Sequence, residues 1–337
     1  MARVAYLRKL LGFTVFTMVS ATPAFAQFDT DKKEDGTLSL LFENDIFYKT
    51  DRDYSNGVQV GWTTGPADNI DWAVNLARFL PFFAQDGEVR MSYSVGQNIY
   101  TPRDITLSNP PLTDRPYAGF LYGGMGVIDR SGNDLDQLQV QLGVIGPASL
   151  AQESQTLVHR IINDREPEGW HYQLRDEPAL NITYEHSWRW RAPSILGFQF
   201  DVDPHIGAAV GNVYDYINAG AMARFGWNVP DDYGPIRIDP SSPGSNFFER
   251  AENGPIGAYV FAGVDGRAIA RNIFLDGNSF VDSRSVTKKP FVGDLQLGAA
   301  ITLGGTRITF THVMRTKEFK TQPDGDQFGA VNVSFRF

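Results

Sequence analysis

Between residues 295 and 303 every second residue is apolar. Leu295, Leu297, Ala299, Ile301 and Leu303 share one face, and Asp294, Gln296, Gly298, Ala300 and Thr302 alternate with them on the other. A period of two marks a strand with one apolar and one polar side. The pattern recurs over residues 138–144, and it closes the chain, where Val331, Val333, Phe335 and Phe337 alternate with Asn332, Ser334 and Arg336. Two architectures satisfy it. In a soluble sandwich the apolar face turns inward; in a transmembrane barrel it turns out to lipid and the polar face lines the lumen.

Composition and the first residues narrow the choice. The chain has 30 Lys+Arg against 39 Asp+Glu, a formal net charge of -9, which gives a nucleic-acid partner no electrostatic footprint. It has no cysteine, so disulfides, thiolate zinc sites and cysteine nucleophiles are excluded. Arg3, Arg8 and Lys9, then an apolar run over 10–19, then Ala24-Phe25-Ala26 predict a cleaved signal peptide over residues 1–26. No later stretch approaches the roughly 20 apolar residues that a membrane helix needs. The exported domain, 27–337, is therefore either soluble or crosses a membrane as strands.

Three features favour the barrel. Ile182, Tyr184, Trp188 and Trp190 fall on one strand face, as in an aromatic girdle. The alternating segments often run to ten residues or more, as tilted spans require. The last strand ends on Phe337 with aromatics at alternate positions, which resembles the terminal signal of bacterial outer-membrane proteins. The reading is an all-β, twelve-stranded antiparallel transmembrane barrel with a short extracellular helix. Its strands are expected over 37–47, 56–64, 89–100, 117–128, 135–145, 179–191, 196–210, 215–229, 256–270, 291–303, 307–319 and 328–337. An even count leaves both termini in the periplasm and turns 48–55, 101–116, 146–178, 211–214, 271–290 and 320–327 outward. Tight turns at 129–134 and 304–305 suit the periplasmic side, whereas 65–88 and 230–255 are long for it. Residues 72–80 have the pattern of a short interfacial helix.

The outward connections hold the candidate chemistry. Glu43, Asp45, Asp51 and Asp53 lie among hydroxyls and amides over 43–57, an oxygen-rich set suited to Ca²⁺ and equally to an acidic solvated loop with an Asn-Gly turn. Residues 149–162 have helical periodicity with Ser149 as the expected N-cap. Leu150, Leu157, Ile161 and Ile162 form an apolar stripe there, with Gln152, Gln155 and His159 on an adjacent face. His159 would be either a solvated surface residue or an acid–base group held at the external rim; His171, His186, His205 and His312 are assigned no chemistry. Gln97, Asn98, Asp114 and Arg115 collect at the same end. No Gly-x-Ser-x-Gly elbow is present, so a hydrolase would activate water.

Several motifs occur here in one order: Glu43-Asn-Asp-x-Phe, Thr50-Asp-Arg-x-Tyr-Ser-Asn-Gly57, Gly96-Gln-Asn-Ile-Tyr-Thr-Pro102, Asp114-Arg-Pro-Tyr-Ala-Gly119, and Gly143-Val-Ile-Gly-Pro147 with Gln155, His159 and Gly169-Trp170. Together they resemble the outer-membrane lipid A 3′-O-deacylase family. The resemblance implies a barrel in the Gram-negative outer membrane that hydrolyses the 3′-acyloxyacyl ester of lipid A with Ca²⁺, its site facing the exterior. By motif position it implies His159 as general base, Asn44 and Asp45 as an active-site pair with Asp45 toward the metal, and Ser55 at the family's Ser/Thr position. Arg103, Gln97 and Arg115 are the expected substrate contacts, although the loop after strand 3 has only one basic residue, Arg103, before Pro110-Pro111. Because Asn44 and Asp45 are adjacent, only one could face the lumen from a regular strand, so a bend or bulge is expected there. An outer-membrane phospholipase, or a non-catalytic porin or structural barrel, would keep the same strands.

Overall fold

The computed structural model describes residues 36–44, 53–66, 68–80, 82–235, 247–249 and 254–337. The expected signal peptide and Asp45 lie outside them. Twelve strands make up the wall: β1 Gly36–Asn44, β2 Asp53–Thr64, β3 Glu88–Thr101, β4 Ala118–Ser131, β5 Asp134–Ile145 and β6 Glu177–Trp188, then β7 Phe198–Gly211, β8 Tyr214–Trp227, β9 Ile256–Asn272, β10 Phe291–Leu303, β11 Thr306–Arg315 and β12 Asp326–Arg336. Each pairs antiparallel with its neighbours in sequence, and β12 returns to pair with β1, so the sheet closes. Closure leaves no open edge, which is the condition for strands to cross lipid. Among the described residues no helix is long and apolar enough to span a membrane.

Exposure settles which face is out. Leu295, Leu297, Ile301 and Leu303 are exposed while Gln296 and Thr302 are buried, and on β2 Val58 and Val60 are exposed. An apolar belt around a polar interior is stable in a bilayer and not in water.

The interior is packed rather than open. On β8 Arg224 donates two hydrogen bonds to Asp201 at 2.8 and 2.7 Å and one to Asp232 at 2.5 Å, and on β11 Arg307 reaches the other Asp232 oxygen at 3.1 Å. Asp232 belongs to the long β8–β9 connection, which therefore folds back into the lumen. Beside it Asp231 pairs with Arg130 of β4 and with Arg189 and Arg191 from the segment just after β6. Tyr233, Phe247 and Phe248 are buried there beneath the guanidinium groups of Arg189, Arg90 and Arg307. At the opposite end α3, Ile273–Asp276, is capped by Asn272 and stacks Phe274 on Tyr100 at 3.9 Å. A porin needs a passage, and this lumen is filled at both ends.

The long connections thus have uses that strand periodicity does not show. Residues 65–87 carry α1, Asp71–Arg78, against the outer wall. Strand 6 ends earlier than expected because the Arg189 N–H turns to the Asn133 carbonyl, and only Trp190–Arg191 rejoin the ladder. Residues 316–319, expected in strand 11, leave the sheet, with Phe319 buried in the loop.

Candidate active site

The second helix, α2, spans Ala151–Ile162. Its start is fixed to the outer wall of β3 and β4. Gln97 lies on the outward parity of β3 with Val95, and its amide donates to the Ser149 carbonyl at 2.6 Å. On β4, Gly119 has no room for a Cβ, which would run into Ser149 and Ala151. Ser149 is not the N-cap: its hydroxyl donates back to the Gly146 carbonyl at 2.6 Å, and Leu150, with φ at 57°, precedes the first helical residue.

The helix sits with its polar side inward. Ala151, Gln155 and His159 are the buried residues, His159 only 6% exposed, whereas Leu157 is 60% and Ile161 51% exposed. In a water-soluble rim helix this orientation would be reversed. The stripe is therefore not a core-packing face, and His159 is not a solvated side chain.

Residues 163–170 wrap around that buried side. The His159 ring lies with Nδ1 2.5 Å from the Arg165 carbonyl oxygen. A carbonyl only accepts, so Nδ1 carries the proton and the neutral ring keeps its lone pair on Nε2. The exposed Arg160–Glu166 pair closes the same turn at 2.9 Å, and the hydrogen bond from Arg160 holds the Glu166 carboxyl below its ordinary range. The Trp170 indole donates to Gln155 Oε1 at 2.9 Å and packs tilted at 46° against the Tyr117 ring, with centroids 4.8 Å apart. Glu168 N–H reaches the Ile105 carbonyl, tying the turn to the β3–β4 loop. Asp104 in that loop is also held below the carboxylate range, by the Thr106 hydroxyl and N–H.

The remaining Gln155 group, Nε2, is buried and meets no acceptor among the described residues. Gln155 is the site residue that sequence reasoning left without a role. Its spacing of four from His159 was the available signal.

Register links α2 to the acidic segment. Asn44 faces Asn56, Asn56 faces Ile99 and Ile99 faces Gly119, one row across four strands. Asn44 shares its parity with Leu38, Leu40 and Phe42, whereas Ser39, Leu41 and Glu43 are buried, so Asn44 belongs to the outer face, as do Gln97 and α2. The site is built on the wall's outside rather than in the lumen. β1 is regular through Asn44, and the bend expected at Asn44-Asp45 falls on Asp45, outside the described residues; a separate irregularity lies in the next pair, where the β2–β3 register slips at Ser55 between Tyr54 and Asn56. Arg103 is exposed on the β3–β4 loop, its N–H bonded to Asp114 at 2.8 Å. Arg115 is separated from the others by the wall, buried over the lumen-facing Tyr100 ring and bonded to Glu318 at 3.3 Å.

Among solved structures the chain is similar to LpxR from Salmonella typhimurium, with 22% identity, 89% of this chain and 100% of that chain covered, and a TM-score of 0.73. The β domain of the Bordetella autotransporter BrkA matches with 9% identity over 91% and 99% of the two chains at a TM-score of 0.43, too distant to carry an argument. No curated protein sequence matches the chain. The family described as outer membrane protein LpxR matches residues 11–337. With the closed twelve-stranded wall, that match over nearly the whole length establishes that this outer-membrane protein belongs to the LpxR family.

Proposed function

We propose that the protein is a lipid A deacylase that hydrolyses the 3′-acyloxyacyl ester with water activated by His159. Family membership supports the deacylase reading. The observation that carries the mechanism is the buried His159 ring, its Nδ1–H tied to the Arg165 carbonyl on the outer wall. Nε2 takes a proton from water as the oxygen attacks the ester carbonyl. The carbonyl becomes an oxyanion, and an amide N–H can stabilise it; Gln155 Nε2 is a buried donor one turn from His159. When the tetrahedral adduct collapses, His159 returns the proton to the departing sugar oxygen. The products are a fatty acid and a free 3′-hydroxyl. Asn44, Asp45 and Ser55 complete the site in this proposal, and Arg103 is its candidate phosphate contact. The exposed Leu150, Leu157 and Ile161 suit a helix lying among acyl chains. Mass spectrometry of lipid A from a host lacking other deacylases, with and without the protein, tests the reaction. Loss of phospholipid acyl chains instead would favour a phospholipase.

Ca²⁺ is proposed as cofactor. Among the described residues no three His, Asp or Glu side chains converge on a metal position, so they do not form the site by themselves. The oxygen donors expected to complete it, Asp45 and Asp51, lie outside the described residues, and no step above passes through the ion. When bound, Ca²⁺ would polarise the ester carbonyl. Chelation should abolish deacylation, and Ca²⁺ should restore it better than Mg²⁺, which dehydrates reluctantly. Full activity in excess chelator would remove the ion from the mechanism.

The α2 end is assigned to the exterior because an even strand count puts the start of β1 and the end of β12 on one side, the periplasmic one, and Gly36 and Arg336 lie at the end opposite α2. The absence of native cysteine makes the test direct. A membrane-impermeant maleimide added to intact cells should label Phe280→Cys and not Asn133→Cys. The reverse pattern would invert the topology.

A further inference from the structure

The α1 helix presents three faces. A helix turns about 100° per residue, so Ala73, Val74 and Ala77 lie on one side, Trp72, Leu76 and Phe79 on a second, and Asp71, Asn75 and Arg78 on a third. The first side is buried against Val89, Met91 and Val127, with Tyr93, Met125, Leu138 and Tyr184 around it. Those wall residues belong to the outward parities of β3–β6, paired across the strands as Met91 with Val127, Val127 with Leu138, and Leu138 with Tyr184. The helix is therefore docked on the surface that faces lipid. Its second side is left uncovered: Trp72 is 61% and Phe79 89% exposed, and Leu76 and Phe82 are also exposed.

Two observations say what covers it. Directly above α1 the same wall continues into Val95, Leu142, Leu180 and Ile182, which are exposed and belong to the membrane belt, so the uncovered side extends an apolar surface already in lipid. Below the docked side the wall turns polar at once. Asp136 accepts from the Ala84 N–H at 3.2 Å, from the Tyr184 hydroxyl at 2.6 Å and from His186 at 2.7 Å, and Arg78 lies 3.6 Å from Asp129. The helix thus straddles the boundary between apolar belt and aqueous edge, at the end of the barrel opposite α2.

We propose that α1 is a lipid-seated foot: Trp72, Leu76, Phe79 and Phe82 enter the acyl region of the phospholipid leaflet on the periplasmic side, while Asp71, Asn75 and Arg78 face the periplasm. An amphipathic helix in that position buries its apolar side roughly 5–10 Å into the headgroup and acyl boundary. The proposal adds a lipid contact independent of the ester chemistry, and its test does not read deacylation.

Phe79→Cys and Asn75→Cys proteins, each carrying an environment-sensitive fluorophore at the single thiol, would be placed in phosphatidylethanolamine and phosphatidylglycerol vesicles. Heat-modifiable migration on gels would verify that both barrels are folded. The label at position 79 should emit to the blue and be quenched by phospholipids brominated along the chain. The label at position 75 should emit as in water and be quenched by iodide. Equal iodide quenching at both positions, with no effect of bromolipid at 79, would overturn the proposal. The Trp72→Phe protein gives a second reading: bromolipid quenching of the intrinsic tryptophan emission should be smaller than in the parent, and an unchanged value would count against it.

Discussion

His159→Ala should lower the rate of acyl release by roughly 10²-fold or more, the usual scale for losing a positioned acid or base, while barrel folding and membrane insertion stay intact. The ring is buried in the turn formed by residues 163–170 and, among the described residues, its hydrogen bond is to the Arg165 carbonyl. That bond is outside the wall, so the closed sheet does not depend on it. His159→Asn should fail too: its amide can donate to the same carbonyl, but it cannot take a proton from water at neutral pH. Glu166→Gln is the contrasting variant. It removes a solvent-exposed ion pair from the same turn, and exposed pairs contribute little, so activity should change only slightly. Near-parental acyl release by either His159 variant, measured as free fatty acid per barrel, would make the residue a packing group and move the base elsewhere.

The second large effect is expected far from any ester. Asp232→Ala should destabilise the barrel by about 3–5 kcal/mol, the cost of removing one partner from a buried ion pair. Its carboxylate accepts from Arg224 on β8 and Arg307 on β11 as well as from the backbone N–H groups of Gly234 and Glu249. Truncation leaves two guanidinium groups in the packed lumen without that anion. The midpoint for loss of the folded band on heating or in denaturant should drop accordingly. An unchanged midpoint would mean that the β8–β9 connection is not seated inside.

The wall was legible because its signal is local. Alternation along β5, β10 and β12 fixes which residues share a face, and a strand's two sides meet environments of opposite polarity. The same rule could not say what fills the lumen. Residues 230–235 have no period, and their placement follows from Asp231 and Asp232 meeting arginines more than 70 residues away in one case and 100 in another. For α2, periodicity gave the helix and its stripe correctly, but a stripe alone does not name its solvent. A core-packing reading and a lipid-facing reading produce the same spacing, and only the buried Gln155 and His159 distinguish them. Arg115 illustrates the remaining gap: it lies at the same end as Gln97 and Arg103, yet a turn before β4 carries its side chain through to the lumen, where Tyr100 and Glu318 receive it.

The seam between β1 and β12 sets the order in which such a wall can be assembled. Every other neighbouring pair is joined by the intervening connection, whereas the seam unites residues as distant as Ser39 and Ser334, 295 positions apart. Closing a loop of that length costs about 5 kcal/mol of chain entropy by logarithmic scaling, against far less for the two-residue turns at 132–133 and 304–305. Hairpins therefore form early and the seam forms last. Until it does, two strand edges carry bare backbone amides and carbonyls that hydrocarbon cannot solvate. A chain halted before residue 326 would have no partner for β1, so entry into the bilayer must await synthesis of the final strand.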